Sequence, residues 1–111
     1  MARTGDLEVT RETLQGADVV RVDGELDMAT CAKFEDALGT PEPGSRLVVD
    51  LTECTFLDSS AVRVLVASVR AAEGANREVA LVASDPGILR VLEIAAVDTM
   101  LPVHSTLDSA L

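Results

Sequence analysis

Tryptophan and tyrosine are absent from this 111-residue chain, and Phe34 and Phe56 are its only aromatic residues. Without an aromatic platform for bases to stack on, single-stranded nucleic-acid binding loses its usual footing. Cations are scarce as well: 9 basic against 19 acidic residues leave a net charge of −10, and Lys33 is the sole lysine. Such a surface repels phosphate backbones and anionic membranes, so a basic protein face is the better partner. One histidine, His104, and two cysteines outside any CxxC pattern, Cys31 and Cys54, give no metal constellation. The cysteines read as small reduced apolar fillers, with a regulatory disulfide between them as the alternative. No run has the apolar length of a membrane helix, and MARTGDLEV lacks the apolar core of a signal peptide. The expectation is a cytoplasmic protein with no membrane insertion.

What is present is an ordinary soluble-protein balance, 48% hydrophobic and 25% charged. The length suits one domain, residues 1–111, with an aliphatic core that needs neither disulfide nor metal. With no long apolar surface seam in evidence, a monomer is expected.

The pattern alternates strand and helix. Residues 7–13 and 17–24 alternate apolar and polar side chains around Gln15-Gly16, predicting a hairpin. Residues 28–39 carry Cys31, Phe34, Ala37 and Leu38 at helical spacing and stop at Gly39. TPEPGS (40–45) is a breaker. RLVVDL (46–51) is nearly continuous aliphatic sequence, as expected of a central strand buried on both faces. Residues 61–74 place Val62, Leu65, Val66 and Val69 on one helical stripe, with Arg63 and Arg70 off it. A strand at 78–83, a Pro-started helix at 84–97, an edge strand at 100–103 and a last helical turn at 105–111 complete the series. This order predicts an α/β fold: a mixed, mostly parallel sheet with an N-terminal hairpin and helices packed around it. Loops following parallel strands collect at one end of such a sheet. GELD (24–27) and TECTFLDSS (52–60) are expected to face each other there.

Catalysis is hard to assemble at that end. Ser59 or Ser60 as a nucleophile lacks a base, His104 being remote in sequence, and GxSxG, GxxxxGK and HExxH are all missing. Asp50, ending the VVDL strand, resembles the acceptor of receiver domains, but those need a late lysine, and Lys33 lies in the first helix. A phosphate-accepting serine remains, because a helix N-terminus tolerates a dianion through its free N–H groups and dipole. The residues alone leave two readings open: Asp58, Ser59 and Ser60 merely cap and solvate the turn, or Asp58 or Ser59 caps the helix while Ser59 also presents its hydroxyl to solvent.

Taken together, VDGELDMATCAKFEDAL, RLVVDLTECTFLDSSAVRVLV and VALVASDPGILRVLEIAAVDTMLPV resemble a STAS domain of the bacterial anti-sigma-factor antagonist type, from Leu7 to about Leu107. The resemblance implies phosphorylation of Ser59, flanked by Asp27 of the G-E-L-D motif and by Asp58. It implies no enzyme activity and no cofactor of the chain's own. The unphosphorylated form would bind an anti-sigma factor of histidine-kinase-like ATPase fold and free a sigma factor. That partner would phosphorylate Ser59 with ATP and magnesium, and a serine phosphatase would reverse it. The expected partner-binding residues are Asp27, Met28, Asp58, Ser59, Ser60 and Arg63. Met28 is read either as an exposed apolar contact or as tucked against the sheet end, and Arg63 as a cation for an acidic partner residue or as solvated surface. The chain departs from the family pattern at Ala61, where glycine is usual, and the added methyl is expected beside the acceptor, crowding a kinase. The alternative function on the same fold is a STAS regulatory subunit of an ABC-type lipid transporter.

Overall fold

Gln15 and Gly16 both take left-handed backbone conformations, φ 50° and 78°. Two positive φ values in succession are what a two-residue type I′ hairpin demands, because that turn follows the right-handed twist of its strands. They join β1 (Leu7–Leu14) to β2 (Ala17–Leu26) as an antiparallel pair in register from Leu14↔Ala17 to Leu7↔Gly24. The computed structural model describes residues 7–39 and 46–111, and the TPEPGS breaker lies outside the described residues.

The remaining elements follow in the predicted order: α1 (Cys31–Leu38), β3 (Arg46–Leu57), α2 (Ser59–Gly74), β4 (Val79–Val82), α3 (Pro86–Ile94), a 3-10 turn at Val97–Thr99, β5 (Val103–His104) and α4 (Leu107–Ala110). The sheet order is β1-β2-β3-β4-β5, with β2 to β5 mutually parallel. β3 is the middle strand, and Leu47 to Leu51 are buried, as the apolar run requires. The main core packs Val20, Val22, Val49 and Leu81 with Phe34, Leu65, Val69, Ile88 and Leu92 from α1, α2 and α3. The other face carries a smaller cluster, Val19, Val48, Ala80 and Val82 with Ala110 of α4.

Several boundaries differ from the sequence expectation. Helix α1 begins at Cys31 rather than at 28, because the Asp27 carboxylate and Thr30 tie residues 27–30 into a capped turn. α3 ends at Ile94 rather than 97, since Ala96 turns left-handed at φ 60° and sends buried Val97 into the 3-10 turn. The edge strand is Val103–His104, not 100–103. Pro102 has no N–H to pair and only accepts there, its carbonyl taking the Leu81 amide at 3.0 Å. The largest difference is that β2 and β3 run on through both segments expected to be loops, as far as Leu26 and Leu57.

Candidate functional site

Between the pairs Arg21↔Asp50 and Leu26↔Leu57, β3 holds two residues more than β2, taken up at two register shifts. Each extra residue is a bulge, which turns the chain so that an inward side chain recurs after three positions instead of two. Leu51, Cys54 and Leu57 are accordingly the buried ones, and Phe56 is left 48% exposed. On β2 the extension passes through Gly24 at φ 124°, a conformation only glycine takes readily.

β2 and β3 therefore end side by side, and each delivers an aspartate one residue later. The Asp58 amide donates to the Leu26 carbonyl at 3.1 Å, joining the two ends. The Asp58 carboxylate then accepts from the amides of Ser60 (2.9 Å) and Ala61 (3.2 Å), making Asp58 the N-cap of α2. Asp27 ties the turn that precedes α1. Its Oδ1 accepts from Ala29 N (2.9 Å) and Thr30 N (3.1 Å), while the Thr30 hydroxyl donates to the Glu25 carbonyl at 2.7 Å. Asp85, after β4, caps α3 through the Ile88 amide at 3.1 Å.

This arrangement separates the three polar residues of LDSS. Asp58 is the cap, and Ser60, half-buried, contributes its amide to that cap. Ser59 is the first helical residue, is exposed, and its hydroxyl makes no hydrogen bond among the described residues. Met28, at 78% exposure, stands outward rather than against the sheet end. Phe56 is exposed near the end of β3 and was not singled out by sequence, although the L-x-x-C-x-x-L spacing is the signal that turns it outward. Arg63 is exposed, off the buried stripe of Ala61, Leu65, Val69 and Ala72.

Ala61 corrects an expectation. Its methyl is fully buried in the main core, pointing away from the Ser59 side of the helix. The family's glycine is thus replaced without anything added around the acceptor.

Other candidate chemistry lies elsewhere. His104 is on β5, two strands from β3. Asp50 is buried and engaged, accepting from Arg21 Nε at 3.3 Å and from the Thr52 amide at 3.0 Å, so it is not presented as a receiver aspartate. Cys54 and Cys31 are free thiols. Burial pushes the Cys54 thiol up, and the nearby Asp85 charge adds to this. Hydrogen bonding to the backbone of Phe56 and Leu26 works in the opposite direction.

A protein-family model described as "Mlab, STAS domain" matches residues 9–102. Among relatives, the anti-sigma-F factor antagonist RsfA of Mycobacterium tuberculosis is 30% identical over 95% of this chain and 85% of its own. The antagonist RsfB of the same organism is 28% identical over 100% of this chain and 92% of its own. A crystal structure of an anti-sigma factor antagonist from Mycobacterium paratuberculosis superposes with a TM-score of 0.88 at 29% identity, over 99% of this chain and 95% of that one.

Proposed function

This chain belongs to the STAS domain family, and on that premise we propose that it is an anti-sigma-factor antagonist whose binding is switched at Ser59. The observation that carries the reading is the unengaged, exposed Ser59 hydroxyl directly after the capping Asp58, at the sheet end that also holds Asp27 and exposed Met28. Dephosphorylated, this rim offers a protein partner the exposed apolar Met28 within an acidic border. The partner is an anti-sigma factor of histidine-kinase-like ATPase fold, and a serine phosphatase resets the switch; ATP and magnesium belong to those proteins. The work takes place in the cytoplasm. Among the described residues no helix is long and apolar enough to cross a membrane.

The switch follows from charge and bulk. A phosphate adds about −1.5 to −2 charge beside Asp58 and Asp27. Because Asp58 already holds the Ser60 and Ala61 amides, the helix end keeps only the Ser59 amide for the phosphate and leaves most of its charge uncompensated. Unit charges ~4 Å apart at surface-like dielectrics interact by a few kcal/mol. An unfavourable contribution of about 3 kcal/mol lowers affinity roughly a hundredfold.

The test is a pull-down from the source cell's lysate with wild type, Ser59→Ala and Ser59→Glu as baits, read by mass spectrometry. Wild type and Ser59→Ala are expected to retain an ATP-binding anti-sigma factor that Ser59→Glu loses, and magnesium-ATP is expected to place one phosphate on Ser59 of the wild type. Equal recovery by all three baits refutes the switch at Ser59. Recovery of transporter subunits instead selects the ABC-transporter reading, against which the two relatives at 28–30% identity now weigh.

A further inference from the structure

Phosphate on a helix-start serine is ordinarily held by the free backbone N–H groups of the first turn. Here those of Ser60 to Val62 are taken, which leaves only the amide of Ser59 itself without an acceptor among the described residues. The Ser60 and Ala61 amides donate to the Asp58 carboxylate and the Val62 amide to the Asp58 carbonyl. With one backbone N–H left for a dianion, a phosphate on Ser59 gains most from a side-chain cation. Arg63 lies one helical turn further along, at i+4, where residues stack on one face and long side chains lean back over the preceding turn. Both residues are exposed, on the side of α2 away from the buried Ala61, Leu65 and Val69. Arg63 makes no ion pair or hydrogen bond through its side chain among the described residues. Arg21, in contrast, is engaged with Asp50, and Lys33 donates to the Leu7 carbonyl. Arg70, on the same helix, sits about 10 Å further along the axis.

We infer that Arg63 is the intramolecular partner of the Ser59 phosphate. The inference rests on Ser59 being the acceptor and adds how the modified state is built. Phosphorylation then alters the rim twice, by adding an anion and by drawing Arg63, otherwise available to an acidic group of the partner, onto that anion.

The experiment uses the full chain with phosphoserine installed at position 59 during synthesis, and follows the 31P shift against pH. The second phosphate ionisation, ordinarily near pH 6, is raised by the charges of Asp27 and Asp58 and lowered by Arg63. Arg63→Gln is expected to raise it by about 0.4 pH unit, and Arg63→Lys to restore most of that shift. Coincident titrations of wild type and Arg63→Gln overturn the pairing. No kinase or partner is involved, so that failure leaves the switch at Ser59 intact. A failed pull-down alongside a 31P shift does the reverse, sinking the function and keeping the pairing.

Discussion

Removing the Asp58 side chain tests whether capping, rather than local charge, is what this residue contributes first. Two amides, Ser60 N at 2.9 Å and Ala61 N at 3.2 Å, depend on its carboxylate. Asp58→Ala deprives both of their acceptor, and losing an N-cap acceptor costs about 1–2 kcal/mol. For a chain of 111 residues, an unfolding entropy of about 2.1 cal/mol/K per residue makes each 1 kcal/mol worth about 4 °C in Tm. The expected fall is therefore about 4–8 °C, followed by circular dichroism at the helical band. Asp58→Asn keeps an oxygen in place and is expected to lose no more than about 2 °C. A melt of Asp58→Ala within 1 °C of wild type refutes the capping role and with it the account of why Ser59 is the free residue. With Asp58→Asn folded as wild type, any change in partner affinity reports the charge alone.

Two further outcomes follow. Ala61→Gly, which restores the usual family residue, is expected to destabilise by about 1.5–2 kcal/mol, combining the helix preference for alanine with one lost buried methyl. The Ser59 phosphorylation rate should stay unchanged; thermal melts and a phosphotransfer time course check both halves. For Cys54, whose thiol is pushed up mainly by burial, alkylation at pH 8 is expected to label Cys31 well ahead of Cys54. The unfolded thiol ionises above about pH 8.5 while the folded one stays protonated, so stability is held below that pH and declines above it. Urea melts at pH 8 and pH 10 measure that decline, which Cys54→Ala should reduce.

The sequence was most legible where one period held. Gln15-Gly16 between alternating runs located the hairpin, and the unbroken aliphatic run at 46–51 located the central strand. Legibility failed where the period changed. After Leu51 two bulges reset burial from every second to every third residue, so a strand reaching Leu57 read as a loop and Phe56 went unnoticed. The choice between Asp58 and Ser59 as cap was equally closed to sequence, because both residue types cap well and only backbone direction decides. Ala61 was misplaced for a related reason: its position in the first turn was clear, but not which way that turn faces the core. Asp27 was read as a charge near the acceptor, and its additional work in tying the turn before α1 was visible in the D-x-x-T spacing.

Phe56 has a practical consequence. A chain with neither indole nor phenol is almost dark to ultraviolet light near 280 nm. A half-exposed aromatic position tolerates a larger ring without disturbing the packing beneath it. Phe56→Trp would put the protein's only strong emitter near the end of β3, three residues before Ser59, so docking, modification and release could each be followed in real time as light from one known place, with no dye attached.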